Sequence, residues 1–592
     1  MTILGVHYGH NATVAVIKDG KLIFAMSEER LNRLKNSNGM PVKTLEYIYE
    51  NIVKPNDVDA AVLFQQGIAG YLGLKRSGFK SVRDFGAFNI NFSRHYSLIK
   101  NFLYKLPGYF VFRKLLGTVK NWMWSQYDNI TGMSMEYFSE SLQLPKEKIM
   151  FCGHHLSHAY ATCINLNSEN KTLSLTMDGE GDSLSSTVNI YNKFNLQTIS
   201  TNPVEVSIGY FFTEITKLLG MTPNEHEFKV MGLAPYAKQE RARKLYEQHK
   251  DLLVLNQDLR FESKLPTNRL EFYLLEKLYG QRFDTIAAFA QIFLEEKVLE
   301  WVRAWIKKTG ITDLALGGGV FMSVKLNQKI LELPEVTSLF VMPSSADEST
   351  AIGAAFYGLT ELSKKRGLSV VVQPISDLYL GKSYDKEQIE KLLKTSGARE
   401  KFKVEQCSGE YEVEKKVAKL LSENQVVGRF AGRSEWGARA LGNRSILANA
   451  QSRDTVRVIN EMIKNRDFWM PFASSIIEED AGRYLKIPKK MEAPYMAITF
   501  ETTELAWGHL QAAIHPYDFT CRPQIVYNAW NPSYHTLLKE FKNLTGIGGV
   551  LNTSFNLHGE PNVETPEDAL RTFENSGLQY LALENFLISK KI

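Results

Sequence analysis

LALGGGVFMSVKLNQKI, residues 314–330, is followed closely by SLFVMPSSADESTAIGAAFYGL, residues 338–359. Each stretch begins with an apolar run typical of a buried strand, passes through glycines or small polar residues, and ends in a helical pattern. A second pattern, a strand, a turn of acids and glycines and another strand, occurs at residues 3–26 and again at residues 172–191. Strands that end in glycines and acids in two successive halves predict a duplicated α/β core with a nucleotide in its cleft.

Size and composition restrict the class of protein. The chain has 592 residues, 44% hydrophobic and 23% charged, so two or more globular domains are expected. A formal net charge of +5 is small for this length and indicates no nucleic-acid partner. The chain opens without a signal-peptide pattern, and no apolar run approaches the roughly 20 residues that span a bilayer. The four cysteines form no CxxC pair, which argues against disulfides and a thiolate zinc site. We expect a cytoplasmic protein.

Residues 71–120 differ from the rest of the chain, with ten Lys and Arg, one acid and eleven Phe and Tyr. A basic helical insertion that packs on the core through its aromatics explains this composition. An acceptor-binding subdomain and a weak membrane-surface contact are the other interpretations. A compositional shift over residues 363–376 indicates a linker, so we predict one domain over residues 1–365 and another over residues 366–592.

A metal site is predicted from histidines and aspartates. His154 and His158 are four residues apart, which places both rings on one helix face. That spacing alone is equally typical of two ordinary histidines at a helix start. Asp178 follows a strand and Asp347 precedes a helix, so both acids belong to loops that meet a ligand in the cleft. Two His and two Asp would hold a divalent ion such as iron, manganese or zinc.

The glycine run and one lysine are candidate nucleotide contacts. Gly318 and Gly319 precede a helix, where missing side chains let a phosphate approach the backbone. Neither a Walker-type nor a GxGxxG motif follows a strand, which disfavours P-loop and Rossmann folds. Lys229, in KVMGLAPYA, belongs either to a loop that closes on the nucleotide or to a plain loop between two helices.

The second domain is rich in cations that lie among glycines and small polar residues. Such arginines suit phosphate or carboxylate, because the guanidinium fork binds both oxygens, whereas surface ion pairs explain only one of them. The candidate anion-binding residues are Arg433, Arg439, Arg444, Lys464, Arg466, Arg522, Asn552, Ser554 and Asn556.

These motifs together resemble the O-carbamoyltransferases of the nodulation, tobramycin, novobiocin and cephamycin type, over nearly the whole chain. HHLSHA, MDGEGD, KVMGLAPYA and ADESTAIGAA are similar to the N-terminal domain, which is related to the metal-binding transferase of tRNA threonylcarbamoylation. GRSEWGARALGNRS, CRPQ and LNTSFNLHGEP are similar to a YrdC-like C-terminal domain. The resemblance implies an actin-like (ribonuclease H-like) duplicated N-terminal domain and a YrdC-like α/β C-terminal domain.

The resemblance also implies a two-site mechanism. The C-terminal domain would form carbamoyl adenylate from its substrates carbamoyl phosphate and ATP, with Mg²⁺ accompanying the ATP. The N-terminal domain would transfer the carbamoyl group to an acceptor hydroxyl. Iron is the family's metal, held by His154, His158, Asp347 and Asp178, and His10 is the candidate general base beside the acceptor. The remaining implied contacts fall into two sets. Gly179, Lys229, Gly318 and Gly319 would bind carbamoyl adenylate, and Arg439, Lys464, Arg466, Arg522, Asn552 and Ser554 would bind ATP and carbamoyl phosphate.

Three positions depart from the family pattern. Met470 replaces an arginine just before the PFAPS stretch, which removes one phosphate ligand from the adenylation site. Ser474 replaces a proline, and Ser323 replaces an asparagine after the glycine run. The departure at Met470 bears directly on the efficiency of the first half-reaction.

The expected enzyme is an ATP-dependent O-carbamoyltransferase that acts on a small sugar or natural product. We expect ATP, carbamoyl phosphate and a hydroxyl acceptor as partners, no nucleic acid, and, by family habit, a homodimer. Two alternatives stay open. An actin-like kinase or ATPase would phosphorylate its acceptor and leaves the arginine-rich second domain unexplained. An assembly factor would bind nucleotide and a partner protein without turnover of carbamoyl phosphate.

Overall fold

The computed structural model describes residues 1–64, 127–164 and 170–591, and the predicted basic insertion at 71–120 lies outside these ranges. The first half of the N-terminal region contains one sheet and its helices. Its strands are β1 (Thr2–His7), β2 (Thr13–Lys18), β3 (Lys21–Ser27), β4 (Ala60–Phe64) and β5 (Ile149–Cys152). Its helices are α1 (Glu29–Asn32), α2 (Val42–Asn51), α3 (Tyr127–Leu142) and α4 (His154–Cys163).

The second half repeats this plan with additional helices. Its strands are β6 (Thr172–Gly181), β7 (Leu184–Asn192), β8 (Asn195–Pro203), β9 (Val254–Leu255), β10 (Phe261–Glu262), β11 (Asp313–Gly317) and β12 (Ser338–Val341). Its helices are α5 (Ile208–Leu218), α6 (Glu227–Leu233), α7 (Gln239–His249), α8 (Glu271–Lys277), α9 (Phe283–Thr309), α10 (Val324–Leu331) and α11 (Ser349–Lys365).

The two five-stranded sheets have the same topology. The first has the order β3-β2-β1-β4-β5 and the second the order β8-β7-β6-β11-β12. In each sheet the central strand pairs antiparallel with the following hairpin strand and parallel with a later strand, β1 with β4 and β6 with β11. The duplicated α/β core predicted from the repeated segment order is therefore confirmed.

Two helices, α4 and α11, pack against each other and against the sheets. Close approach depends on glycine, because a Cβ on Gly353 would lie 1.7 Å from the carbonyl oxygen of Ser157 on α4. A Cβ on Gly5 of β1 would likewise lie 1.8 Å from the carbonyl oxygen of Ala351 on α11. This packing brings the N-terminus of α4 and the loop before α11 to the same end of the core.

The C-terminal region is built on a mixed eight-stranded sheet of order β13-β23-β22-β14-β15-β21-β16-β20, with a small sheet of order β17-β18-β19 beside it. The strands are β13 (Phe402–Gln406), β14 (Val427–Phe430), β15 (Arg444–Ala448), β16 (Ala473–Ile477), β17 (Leu485–Lys486), β18 (Phe500–Thr502), β19 (Thr520–Cys521), β20 (Pro523–Val526), β21 (Gly549–Ser554), β22 (Tyr580–Leu583) and β23 (Phe586–Lys590). The helices are α12 (Lys386–Thr395), α13 (Ala398–Lys401), α14 (Glu412–Ser422), α15 (Asp454–Ile459), α16 (Ala481–Tyr484), α17 (Glu504–His509), α18 (Pro532–Thr545) and α19 (Pro566–Glu574). The mixed α/β class is as predicted, whereas the likeness to YrdC stays a prediction.

The segment predicted as a linker is packed along the first sheet. It begins as the last turn of α11 and continues without regular secondary structure, and the amide of Gln373 donates to the carbonyl of Gly20 at 2.8 Å. Ile375 and Leu378 are buried with Ile3 of β1 in one hydrophobic cluster. The domain boundary at residue 365 stays a prediction. Within the described ranges, no helix is both long and apolar enough to cross a bilayer.

Candidate active sites

The predicted metal ligands meet at one point. His154 and His158 lie one turn apart at the start of α4, with their Nε2 atoms 3.1 Å apart. Asp178 Oδ2, near the end of β6, lies 3.7 Å from His154 Nε2 and 3.2 Å from His158 Nε2. Asp347 Oδ1, from the loop before α11, lies 3.7 Å from His154 Nε2 and 3.9 Å from that of His158. One ligand atom from each residue lies within 4.8 Å of all the others.

This donor set fits a divalent ion. Two imidazole nitrogens and two carboxylate oxygens suit iron, manganese or zinc, and a set of four protein ligands would leave an ion free to bind a substrate oxygen as well. The second nitrogen of His158, Nδ1, lies 3.0 Å from the hydroxyl of Ser349, a contact that fixes the ring orientation. The Nδ1 atom of His154 is buried and has no hydrogen-bond partner among the described residues.

The electrostatics of the four residues are mutually dependent. Burial disfavours charge on His154, but the neighbouring carboxylates of Asp178 and Asp347 raise the pKa of His154 to about 9. Burial opposes ionisation of Asp178 too, yet His154 and His158 hold its pKa well below the usual value. Burial raises the pKa of Asp347 to about 7, against the charge of His154. The cluster therefore holds protons that a metal ion would displace.

Two of the candidate glycines donate backbone hydrogen bonds to the carboxylate of Asp178. The amide of Gly179 donates to Asp178 Oδ1 at 2.6 Å, and the amide of Gly319 donates to Asp178 Oδ2 at 3.0 Å. Gly318 has a φ of 98°, and a Cβ there would lie 2.3 Å from the carbonyl oxygen of Met177. Gly179 and Gly319 thus contact Asp178 and Gly318 packs on Met177, whereas contacts of the three glycines with a nucleotide stay a prediction.

His7 is a neighbour of this cluster that the motif analysis missed. Its ring is buried, stacks on Phe64 at 4.2 Å and has Nε2 at 4.0 Å from Asp347 Oδ2. Its Nε2 atom also lies 2.8 Å from the carbonyl of His10, so His7 holds the loop that carries the predicted base. Burial lowers the pKa of half-buried His10, which favours the neutral imidazole that a base requires. The HxxH spacing within HYGH was the available signal for His7.

A second site contains three arginines of the C-terminal region. Arg439, Arg466 and Arg522 lie deep in the protein yet keep partial exposure, as expected for the walls of a pocket. Burial and the charge of Arg439 lower the pKa of Arg466 to about 10, and burial with the charges of Arg439 and Arg466 lowers the pKa of Arg522 well below its usual value. No carboxylate of the described residues lies within ion-pair distance of the three, although the charges of Glu348 and Asp467 act on Arg439 and Arg466. Three cations at this depth with so little counter-charge indicate an anionic ligand.

The polar residues predicted for this site border the arginines. Lys464 Nζ donates to Ser554 Oγ at 3.1 Å and to Asn556 Oδ1 at 2.8 Å. Burial and the charge of Arg466 lower the pKa of Lys464 well below its usual value. Asn552 donates to the hydroxyl of Ser475 at 2.9 Å, and its buried Oδ1 atom has no partner in the described chain. The structure therefore gathers the cation cluster, which we define as Arg439, Lys464, Arg466 and Arg522.

Two of the candidate arginines have structural partners instead. Arg433 donates to the carbonyls of Leu380, Gly381 and Ile23, and so ties the chain after the linker to the first sheet. Arg444 is fully buried and donates to carbonyls that include that of Ala431. Backbone carbonyl oxygens accept the hydrogen bonds of these two guanidinium groups. The structure therefore does not support the predicted binding of anions by Arg433 and Arg444.

One loop touches both sites. Asp347 belongs to the metal cluster, whereas its neighbour Glu348 accepts a hydrogen bond from Ser344 and its charge acts on Arg439. The hydroxyl of Ser344 also accepts the amide of Ala438, one residue before Arg439, at 3.0 Å. The two sites therefore share the segment 344–349 as a common wall.

The chain belongs to the carbamoyltransferase family. Residues 2–356 match the family's model of the carbamoyltransferase N-terminus, and residues 418–590 match that of the C-terminus. Nodulation protein NolNO of Sinorhizobium fredii is 30% identical over 588 residues, covering 98% of this chain and 79% of that protein. The 3'-hydroxymethylcephem-O-carbamoyltransferase of Amycolatopsis lactamdurans is 30% identical over 277 residues, covering 45% of this chain and 47% of that enzyme. The protein is thus an enzyme that transfers carbamoyl groups.

Among solved structures, that of full-length HypF in its phosphate- and nucleotide-bound form covers 62% of this chain and 56% of its own. The TM-score is 0.33 and the sequence identity is 12%, too low to support an argument about fold or function.

Proposed function

We propose that this carbamoyltransferase forms carbamoyl adenylate from carbamoyl phosphate and ATP at the cation cluster and transfers the carbamoyl group to an acceptor hydroxyl at the metal cluster. The observation that carries the proposal is the pairing of two sites that bind ligands of opposite charge. Three arginines without carboxylate partners require an anion, and four metal-ligating residues require a cation. A phosphate-bearing substrate supplies the anion at the first site, and a divalent ion held at the second would bind the phosphate of the adenylate.

The first half-reaction belongs to the cation cluster. Water cleaves carbamoyl phosphate to carbamate and phosphate, and a carbamate oxygen then attacks the α-phosphorus of ATP and displaces pyrophosphate. Arg439, Arg466 and Arg522 would hold the phosphate oxygens, because fixed guanidinium groups stabilise charge that develops on them. Lys464 would supply a fourth cation, because a bound anion favours its ammonium form, and we infer that Mg²⁺ accompanies the ATP.

The second half-reaction belongs to the metal cluster. His154, His158, Asp178 and Asp347 would hold the ion, which the family resemblance implies is iron, and its charge would stabilise the phosphate of the adenylate. His10 would accept the proton of the acceptor hydroxyl as the hydroxyl oxygen attacks the carbamoyl carbon. The bond between that carbon and the AMP oxygen breaks, so AMP and the carbamate ester are the products.

The acceptor class is inferred from relatives of this chain. One is named a nodulation protein and another an O-carbamoyltransferase of a hydroxymethylcephem. We propose a hydroxyl of a sugar or natural product as the acceptor in a cytoplasmic reaction.

The decisive experiment needs no acceptor. Purified protein is incubated with ATP and Mg²⁺, with and without carbamoyl phosphate, and the release of pyrophosphate and AMP is followed. Pyrophosphate that depends on carbamoyl phosphate is the expected result. Formation of ADP without pyrophosphate would instead support a kinase or ATPase, and nucleotide binding without turnover would support an assembly factor.

A further inference from the structure

Residues 227–237, which we term the docking segment, lie between the two domains. The segment comprises α6 and the turn after it, and its apolar residues Val230 and Leu233 are buried in the N-terminal core. Its opposite side contacts two loops of the C-terminal domain, residues 467–471 and residues 515–517. One segment is therefore attached to both domains.

Three polar contacts fix the docking segment to the C-terminal domain. Lys229 Nζ lies 3.0 Å from Asp467 Oδ2, and the indole of Trp469 donates to the carbonyl of Lys229 at 3.2 Å. His515 Nε2 lies 3.0 Å from the carbonyl of Gly232. Of the three, the Lys229–Asp467 pair is the one between two charged side chains, and it is only partly exposed.

The departure at Met470 belongs to the same interface. Met470 is buried, and its Sδ atom lies 3.6 Å from the place a Cβ on Gly232 would take. Pro471 lies at 3.4 Å from the same place, so the loop and the docking segment are in close contact. At this position the chain therefore has an apolar packing contact rather than a further cation.

Asp467 connects this interface with the cation cluster. It directly follows Arg466, whose guanidinium is influenced by the Asp467 carboxylate. The same carboxylate holds Lys229 of the docking segment. A change at Asp467 would alter the attachment of the docking segment without removing any member of the cation cluster.

We propose that Asp467 is a positioning residue that couples the two half-reactions: by holding Lys229 it keeps the docking segment against loop 467–471 while carbamoyl adenylate is present. An acyl adenylate is hydrolysed by water, so a closed interface beside Arg466 retains the intermediate until its transfer. This inference rests on the proposed function and adds to it a residue outside both sites.

The first test measures retention of the intermediate. Enzyme in excess is mixed with ATP labelled in its α-phosphate and with carbamoyl phosphate, without acceptor, and pyrophosphate and free AMP are timed separately. Asp467→Asn is expected to release AMP about fivefold faster than the wild type, the scale of one partly exposed ion pair, while pyrophosphate release changes less than twofold. Asp467→Glu, which keeps the carboxylate, is expected to restore retention.

Glu461→Gln is the matched control, because Glu461 pairs with Arg457 on the surface of the same domain and contacts no residue of the docking segment. AMP release at the wild-type rate in Asp467→Asn would overturn the proposal. Equally accelerated AMP release in Glu461→Gln would overturn it too.

The second test is independent of turnover. Amide hydrogen exchange over the docking segment should be faster in Asp467→Asn than in the wild type, with exchange in β1 and β14 unchanged. If the wild type releases no pyrophosphate, the proposed function fails, and unchanged exchange would separately show that Asp467 does not hold the segment.

Discussion

At the residue scale, the three histidines of HHLSHA differ in what their ring nitrogens contact. His155 has Nδ1 at 2.8 Å from Thr176 Oγ1 and Nε2 at 3.2 Å from the carbonyl of Leu184. Burial, together with the charge of His154, lowers the pKa of His155 to about 3, so this ring is a neutral core residue. His154 and His158 instead direct Nε2 toward two aspartates, and these two are the candidate ligands.

Replacement of His158 by Ala removes one of four ligands while the other three stay in place. We expect metal binding weakened by more than the roughly 10–100-fold typical of outer-shell changes, with carbamoyl-phosphate-dependent pyrophosphate release within about twofold of the wild type. Metal analysis and the pyrophosphate assay measure the two effects. Arg439→Ala should give the opposite pattern, and full metal content in His158→Ala would show that the cluster is not the metal site.

The lowered pKa of Lys464 predicts how anion binding depends on pH. Burial lowers its pKa in the free protein, and a bound polyphosphate favours the ammonium, so binding takes up a proton. Affinity for pyrophosphate should fall as pH rises above the lowered pKa, approaching about tenfold per pH unit. Calorimetry in two buffers of different ionisation enthalpy measures the uptake. In Lys464→Met the affinity should be weak and nearly independent of pH; an unchanged slope there would assign the proton to another group.

At the element scale, the metal cluster depends on how tightly the end of β6 packs on α4. A Cβ on Gly181 would lie 2.1 Å from His154 Cδ2, closer than atoms approach. The imidazole needs this glycine in order to reach Asp178. Helix α4 supplies the i, i+4 spacing, but a glycine of a neighbouring strand makes room for the ring.

Gly181→Ala should therefore displace His154 and reduce metal affinity by at least about tenfold, with the fold retained. Metal titration of the purified variant, together with circular dichroism, measures both properties. Gly482→Ala, where a Cβ would meet nothing within 4 Å, is the control and should bind metal normally. Wild-type affinity in Gly181→Ala would mean that His154 is not a ligand.

At the scale of the whole molecule, the metal ligands join the duplicated halves. His154 and His158 follow the first sheet, Asp178 belongs to the second, and Asp347 precedes the helix that packs on α4. An ion held by all four would bind the folded state in preference to the unfolded chain. Such selective binding stabilises the fold by mass action.

Removal of the metal should lower the melting temperature by several degrees, because an ion at 100 times its Kd contributes about 2.7 kcal/mol. Calorimetric scans with and without a chelator measure the shift. The chelator should leave the melting temperature of His158→Ala unchanged. An equal shift in that variant would place the stabilising ion elsewhere.

The sequence by itself determined the duplicated α/β core, and it predicted most of the residues that the structure brings together at the two candidate sites. The sequence sufficed here because these signals are local. They are the periodicity of strands and helices, the acids at strand ends and the spacing of His154 and His158, and none of them depends on tertiary contacts. The grouping of Arg439, Arg466 and Arg522 with Lys464 was also foreseen from their glycine-rich surroundings, as was the family.

Only the tertiary structure decided which charged groups are free and which have partners. Arg433 and Arg444 have the same sequence context as Arg439, yet backbone carbonyls from distant segments occupy them. Asp467 acquires its partner Lys229 from a segment more than two hundred residues earlier, and the predicted linker packs on the first sheet. Side-chain type and spacing reveal what a group can bind, whereas burial and long-range contacts determine what remains for it to bind.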